Sequence, residues 1–156
     1  MSLLLTSLKT PIGTLNLLAN DQILIGANLS DFSAFKAPDA KSVKSIPVIS
    51  DLIKDYFDGD LTAINAIKVQ QDGPAFSQAA WKSMRRVNAG KVISYADLAE
   101  KAGAPAAVRA AGSACANNAI MIVVPCHRIV KTGGALGNYA YGVDKKEWLL
   151  SHEGFL

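Results

Sequence analysis

The break at Asp72-Gly73-Pro74 constrains the fold of this chain more than any other feature, because a Gly-Pro pair continues neither a helix nor a strand. The charge balance also changes at this break. Up to Pro74, six lysines stand against eight aspartates, and from Ala75 onward ten lysines and arginines stand against five acidic residues. We predict two domains, at residues 1–73 and 74–156, with the basic half as the candidate for binding a polyanion.

The N-terminal half is predicted to be a small sheet that carries one helix. Apolar residues in TLNLLA and ILIGANL flank the turn-forming pair Asn20-Asp21, which is typical of a hairpin. Residues 30–44 are polar and contain proline, which indicates a loop. Apolar residues then recur at helical spacing from Ile49 to Phe57, and Gly59 ends the pattern.

The C-terminal half is predicted to be mainly helical. Apolar residues between Phe76 and Val87 share one face of a first helix. Ser94-Tyr95-Ala96-Asp97 resembles a capping box, which starts a short helix that runs to Lys101. After a turn at residues 103–105, a second short helix of small residues is expected from about Ala106 to Ala116. Two short helices across a tight turn are typical of a helix-turn-helix.

The stretch from Val124 to Val130, VPCHRIV, carries the most chemical information. The apolar run at residues 120–124 predicts a buried strand, which ends at Pro125 and delivers Cys126, His127 and Arg128 in succession. A free thiol is only a few per cent thiolate at neutral pH, and a close imidazole is a usual means of raising that fraction. Taken alone, a core cysteine beside a surface His-Arg pair also explains these three residues.

Metal binding and secretion are not expected for this chain. Its two cysteines, Cys115 and Cys126, are predicted to be free thiols, as is usual in a reducing compartment. With His127 and His152 they do not form the spaced ligand pairs of a zinc site, so we predict no metal and no cofactor. No apolar run is long enough to span a membrane, and the N-terminus lacks a basic leader. We expect no membrane association and a cytoplasmic address, or a nuclear one in a eukaryotic cell.

Six motifs in the C-terminal half occur in the order and spacing of a known family: GPAFSQAAW, ISYADLA, VRAAGSACANN, VPCHRIV, GNYAYG and KEWLLSHEG. From about Gly73 to Phe155, the chain resembles the O6-alkylguanine-DNA alkyltransferases (methylated-DNA–protein-cysteine methyltransferases). The resemblance implies an α/β (α+β) fold. In this fold, a small ribonuclease H-like N-terminal domain of sheet plus helix packs on a mainly helical, winged helix-turn-helix-type C-terminal domain.

The resemblance also implies an activity and a partner. The activity is DNA repair by direct damage reversal, in which an alkyl group passes irreversibly from O6-alkylguanine, and less efficiently from O4-alkylthymine, to the protein's own cysteine. The partner is double-stranded DNA that contains O6-alkylguanine. The protein is expected to be a monomer, and cooperative clustering on DNA stays open.

The family's reacting residues map onto this chain as a catalytic set. Cys126 would accept the alkyl group, His127 would take its proton through a water, and Glu153, which follows the final helix, would orient and charge the imidazole. Asn118 would hold the same network. Tyr95 would donate a proton toward the base, while backbone N–H groups near Tyr139 and Ala140 stabilise the departing oxyanion.

A second set of residues is implied for DNA and for the base. Arg109 matches the family's intercalating arginine, on a helix whose small residues permit close approach to the minor groove. The predicted DNA-binding residues are Arg109, Ala110, Gly112, Ser113, Tyr95 and Arg128, although Arg128 is alternatively structural. The predicted substrate-pocket residues are Tyr139, Ala140, Ile129 and Cys115.

Three other functions are compatible with parts of this sequence. A non-enzymatic protein that binds alkyl lesions and recruits other repair factors would leave Cys126 without a use. A winged helix-turn-helix transcription regulator would explain the basic half but not the Pro-Cys-His sequence or Glu153. A thiol hydrolase would regenerate Cys126 by water attack on a thioester, whereas an alkyl thioether has no carbonyl for water to attack.

Overall fold

The computed structural model describes residues 2–156, which form two compact units. The first unit contains the chain up to Gln71 together with Ala119–Val123, and the second contains Asp72–Asn118 with Val124–Leu156. Residues 119–123, which the sequence assigned to the C-terminal domain, therefore group with the first unit. The division into two domains at residues 73 and 74 stays a prediction.

The first unit is built on a five-stranded sheet. Its strands are β1 (Leu3–Thr10), β2 (Gly13–Asn20), β3 (Ile23–Asn28), β4 (Lys41–Ser42) and β5 (Lys68–Val69). Their order is β4-β1-β2-β3-β5, with the three long strands antiparallel and the two short edge strands parallel to their neighbours. The hairpin predicted around Asn20-Asp21 is confirmed, and Asp21 adopts a left-handed φ of 54° that suits an aspartate in a turn.

Among the described residues of the first unit there is one α-helix, α1 (Ile49–Phe57), which confirms the helical spacing found in the sequence. Ile49, Ile53 and Tyr56 share its buried face. Two 3-10 helices, Phe32–Phe35 and Ala63–Ala66, lie on either side of it in the chain. The segment predicted as a loop therefore contains a short helix as well as β4.

The strand predicted at residues 120–124 is wrong. Only Ile120 makes a β-bridge, with Ala27, and the chain then turns through Met121–Val123. Ile122 has a φ of 72°, which no extended strand contains and which is unusual for a β-branched residue. Residues 120–124 are all buried, which explains their apolar composition. A short buried segment has this composition whether its backbone is extended or turned, so the sequence pattern did not distinguish the two.

The second unit contains four α-helices and a small sheet. The helices are α2 (Ala75–Arg85), α3 (Tyr95–Lys101), α4 (Val108–Ala116) and α5 (Val143–His152). The parallel pair β6 (Ile93–Ser94) and β7 (Ile129–Val130) forms the sheet. No helix within residues 2–156 is long and apolar enough to cross a membrane.

The α3–α4 pair follows from local sequence. Ser94 accepts a hydrogen bond from the backbone N–H of Asp97, and the Asp97 carboxylate accepts one from the backbone N–H of Ser94, so the predicted capping box is confirmed. Gly103, with a φ of 94°, lies in the turn that follows. Helix α4 begins at Val108, two residues later than predicted. The fold is thus mixed α/β.

Candidate active site

Cys126 lies in a tight turn rather than at the end of a strand. Residues Cys126–Arg128 form a single 3-10 turn that leads directly into β7. The backbone N–H of Arg128 donates to the carbonyl of Pro125 at 3.0 Å and closes the turn. A 3-10 turn points successive side chains about 120° apart, so three consecutive side chains can enter the interior in different directions. All three are buried, with exposed fractions of 8%, 0% and 2%.

One buried carboxylate joins the imidazole and the guanidinium. Oε2 of Glu153 lies 2.8 Å from Nε2 of His127, and Arg128 donates to both carboxylate oxygens, from Nε at 2.8 Å and from Nη2 at 2.9 Å. Nη1 of Arg128 donates to the carbonyl of Val87 at 2.7 Å. Burial acts to raise the pKa of Glu153, but the hydrogen bonds from His127 and Arg128 outweigh it and hold the pKa well below its ordinary range. Glu153 is therefore a carboxylate at neutral pH.

The ionised carboxylate fixes the tautomer of His127. A carboxylate only accepts hydrogen bonds, so Nε2 of His127 carries a proton toward Glu153. Burial lowers the pKa of His127, against the opposing effect of Glu153, which favours the neutral ring. The other nitrogen, Nδ1, is then an unprotonated acceptor. It is buried and finds no hydrogen-bond partner within residues 2–156.

Asn118 connects the end of α4 to the thiol. Its Nδ2 donates to the carbonyl of Val124 at 2.8 Å and lies 3.4 Å from Sγ of Cys126. Burial raises the pKa of the Cys126 thiol, and the Asn118 hydrogen bond and the positive charge of Lys146 partly offset this rise. The structure therefore brings four of the five predicted catalytic residues to the Cys126–Arg128 turn as two hydrogen-bonded pairs, Asn118 with Cys126 and His127 with Glu153.

The fifth, Tyr95, lies across an open pocket from this cluster. The pocket has a volume of about 740 Å³, within the range of sites that hold a small organic group. Its lining residues are Tyr95, Val108, Arg109, Gly112, Ser113, Cys115, Ala116, Cys126, Lys131, Asn138, Tyr139 and Ala140. Burial, and then the nearby Cys115 and Cys126, raise the pKa of Tyr95 to about 12, so its phenol keeps its proton at neutral pH.

Most of the predicted DNA-binding and pocket residues line this same pocket. Arg109 and Ser113 are exposed on α4, and a Cβ added at Gly112 would meet nothing within 4 Å. Ala110 is half-buried on the same helix and is not part of the lining. Their contacts with DNA stay predictions.

Two predicted residues lie elsewhere. Arg128 is wrong as a DNA contact, because its guanidinium is buried and bonded to Glu153 and Val87, so no charge is left to meet a phosphate. The alternative structural role is the one found. Ile129 is wrong as a pocket residue, since it is fully buried and pairs with Ile93 in the β6–β7 sheet.

Lys146 belongs to the site although the sequence interpretation did not single it out. It is buried on α5, and its Nζ donates to the carbonyls of Ile129 at 2.7 Å and Asn138 at 3.3 Å. A sequence signal was available. Lys146, Leu149, Leu150 and Glu153 occupy positions i, i+3, i+4 and i+7, the spacing of one helix face, and all four are buried.

The two cysteines are free thiols, and no group of three or more potential metal ligands occurs within residues 2–156. The fold and the site together define a class of protein in which a buried Cys-His-Glu network opens on a pocket beside two short helices. Residues 75–155 match the family model described as "6-O-methylguanine DNA methyltransferase, DNA binding domain", and the chain belongs to this family.

Individual relatives agree with this assignment. The methylated-DNA–protein-cysteine methyltransferase of Shigella flexneri is 44% identical over 108 residues, which cover 69% of this chain and 63% of that protein. The enzyme of the same name from Mycolicibacterium paratuberculosis is 32% identical over 149 residues, or 94% of this chain and 90% of the relative. The crystal structure of Mycobacterium tuberculosis OGT in complex with DNA matches with a TM-score of 0.87 at 30% identity, covering 96% of this chain and 92% of that one.

Proposed function

We propose that this protein repairs alkylated duplex DNA by transferring the alkyl group of O6-alkylguanine, and less efficiently that of O4-alkylthymine, to Sγ of its own Cys126. The observation that carries the proposal is the position of Cys126, which lines the pocket, accepts a hydrogen bond from Asn118 and directly precedes His127 with its buried partner Glu153. A core cysteine with no chemical role would need neither the opening nor the polar partners.

The first step is removal of the thiol proton. Cys126 gives its proton, through one water molecule, to Nδ1 of His127, and the carboxylate of Glu153 stabilises the imidazolium that forms. The buried Nδ1, which has no hydrogen-bond partner within residues 2–156, supports this assignment, because it is the unprotonated nitrogen of the ring while Nε2 donates to Glu153. The hydrogen bond from Asn118 favours the thiolate that remains.

The second step is alkyl transfer. The Cys126 sulfur attacks the alkyl carbon, so that an S–C bond forms while the bond from that carbon to guanine O6 breaks. The electron pair of the broken bond passes to the guanine oxygen, and the phenol of Tyr95 donates a proton to the leaving base, after which the imidazolium restores the phenol. Backbone N–H groups at Tyr139 and Ala140 stabilise the oxyanion as it develops. The original thiol proton thus ends on the guanine.

The product explains a single turnover. Cys126 becomes an alkyl thioether, which has no carbonyl for water to attack and no good leaving group. Each molecule therefore repairs one base. A lesion-binding protein without transfer would leave its thiol unmodified, and a thiol hydrolase would recover it.

The second unit also carries the features that DNA recognition requires. We assign it as a winged helix-turn-helix-type domain whose helix α4 approaches the minor groove, while Arg109 fills the gap left by the flipped base. The open space at Gly112 supports close approach of the helix to the duplex. We further assign the first unit as a ribonuclease H-like domain. We expect the protein to act as a monomer in the cytoplasm, or in the nucleus of a eukaryotic cell.

The decisive experiment is mass spectrometry of the intact protein and of its peptides after mixing with a duplex that contains one O6-methylguanine. We expect one methyl group per molecule, located on Cys126 and absent from a Cys126→Ser variant. The peptide that carries Cys115 is the internal control for the second thiol and should stay unmodified in wild type and in Cys126→Ser. Unmodified protein that still binds the lesion would contradict the proposal and favour recruitment of other repair factors.

A further inference from the structure

Lys146 presents a buried charge that the steps above do not use. Its side chain is fully buried on α5, on the face that also carries Leu149, Leu150 and Glu153. The ammonium donates to two backbone carbonyls and lies 6.0 Å from the centroid of the Tyr95 ring. No carboxylate within residues 2–156 lies close enough to form an ion pair with it.

Burying an ammonium group without a counter-charge costs free energy, so its presence here calls for an electrostatic role. Taking a lysine charge out of water is unfavourable, and two neutral carbonyls and an aromatic ring replace only part of its hydration. Burial accordingly lowers the pKa of Lys146. An apolar side chain of similar volume would fill this position at lower cost, so the charge itself is the feature that needs an explanation.

The groups that surround Lys146 indicate what the charge acts on. Three titratable groups interact electrostatically with Lys146: Cys126, Cys115 and His127. Tyr95 and Tyr141 interact in turn with the Cys126 thiol. Burial raises the pKa of both tyrosines and of Cys115, so all three are neutral before alkyl transfer begins. The negative charge that forms near Lys146 before the transfer is therefore the thiolate of Cys126, whose pKa the ammonium acts to lower.

The two carbonyl contacts give Lys146 a second, geometric effect. Ile129 directly follows the turn that carries Cys126, and Asn138 directly precedes Tyr139 and Ala140 in the pocket lining. One ammonium thus joins the segment that carries the nucleophile to the loop expected to stabilise the leaving oxygen.

We propose that Lys146 is a positioning residue for alkyl transfer, whose buried ammonium holds the Asn138–Ala140 loop beside the Cys126 turn and stabilises the Cys126 thiolate by its positive charge. This inference rests on the proposed function for its biological meaning. Its physical content, a thiolate stabilised by Lys146, is measurable without DNA.

The test compares three variants that separate charge from hydrogen bonding. Lys146→Gln keeps a neutral N–H donor, Lys146→Met removes both donor and charge, and Lys146→Arg keeps both. Lys145→Met is the matched control, because Lys145 is the adjacent lysine of the same helix and is partly exposed. A thermal melt first establishes that each variant is folded, and the Gln and Arg variants keep the test decisive if the Met variant is not.

The readout is the pH profile of Cys126 alkylation by iodoacetamide, a neutral reagent that reacts with the thiolate, followed by mass spectrometry of the Cys126 peptide. We expect Lys146→Gln and Lys146→Met to move the midpoint to higher pH by about one unit, so that the rate at neutral pH falls about tenfold. Lys146→Arg and Lys145→Met should keep the wild-type midpoint. A purely structural role would lower the rate at every pH and leave the midpoint in place, and that result would overturn the inference.

A second readout separates this inference from the proposed function. The rate of methyl transfer from duplex O6-methylguanine should fall about as much as the iodoacetamide rate in Lys146→Gln, and further in Lys146→Met, which also removes the hydrogen bonds to Ile129 and Asn138. If wild type transfers no methyl group while the iodoacetamide midpoint still depends on Lys146, the proposed function fails and the electrostatic role of Lys146 stands. If wild type transfers methyl and the midpoint is the same in all variants, the reverse holds.

Discussion

Replacing Glu153 by glutamine tests whether one buried carboxylate holds the site together. Both oxygens of Glu153 accept hydrogen bonds, at 2.8 Å from His127 and at 2.8 and 2.9 Å from Arg128. A glutamine keeps one oxygen and replaces the other with an NH₂ group, which is a donor facing a donor. The guanidinium of Arg128 then stays buried without a counter-charge.

The size of the effect follows from that arrangement. Removing one partner of a buried ion pair costs about 3–5 kcal/mol, because the remaining charge is neither hydrated nor paired. For a protein of this length, each kcal/mol lowers the melting temperature by about 2–4 °C. Glu153→Gln should therefore lower the melting temperature of the second unit by roughly 6–20 °C.

The same interaction predicts a pH dependence. The pKa of Glu153 is lower in the folded protein than in the unfolded chain, so its contribution to stability is fully present above the ordinary carboxyl pKa of about 4.3. It is lost as the pH falls below that value toward the folded pKa. The difference in melting temperature between wild type and Glu153→Gln should be constant near neutral pH and shrink in acid.

Tryptophan fluorescence is the appropriate assay, because Trp81 and Trp148 both lie in the second unit. Glu147→Gln is the matched control. Glu147 is an exposed carboxylate on α5, the helix that Glu153 directly follows, and its replacement should change stability by less than about 0.5 kcal/mol. If Glu153→Gln were as stable as Glu147→Gln, the carboxylate would not hold the network and the reasoning would be refuted.

Two further predictions concern the pocket helix α4. Arg109→Ala should slow methyl transfer from duplex DNA about tenfold or more, because unstacking a base costs a few kcal/mol and the exposed Arg109 is expected to fill the gap that the base leaves. Iodoacetamide alkylation of Cys126, which needs no DNA, should stay unchanged in this variant. Trp81→Phe should cost about 1–3 kcal/mol in urea unfolding, because the indole N–H donates at 2.9 Å to the buried carbonyl of Ala114 near the end of α4.

A specific result would contradict each of these two predictions. Lys91→Ala removes an exposed cation that lies outside the pocket lining. An equal loss of rate in this variant would show that Arg109 acts only through its positive charge and not by filling the gap. For Trp81→Phe, a stability within about 0.5 kcal/mol of wild type would show that the carbonyl of Ala114 finds another donor.

Local features of the fold were predictable because neighbouring residues decide them. The capping box at Ser94 and Asp97 and the hairpin turn at Asn20-Asp21 each depend on groups a few residues apart. The spacing of apolar residues likewise located α1. The motif around Cys126 identified the nucleophile candidate, since residues that are adjacent in sequence keep a thiol and an imidazole in the same short segment whatever the fold.

The surroundings of those residues were decided by tertiary structure. Sequence alone left Arg128 either on DNA or within the protein, and only the approach of Glu153, 25 residues away, made it a buried partner. The apolar run at residues 120–124 was interpreted as a strand, but its burial is compatible with the turn that the backbone adopts at Ile122.

The reactive groups of this protein, and the approximate positions of its capped helices and tight turns, can thus be read from neighbouring residues. The exposure of its charges depends on the folded chain. Lys145 and Lys146 are adjacent and chemically identical, yet one is partly exposed and the other is enclosed beside the Cys126 turn. The physical reason is that burial and pairing depend on segments brought together from distant parts of the chain, and these set the cost and the effect of a charge.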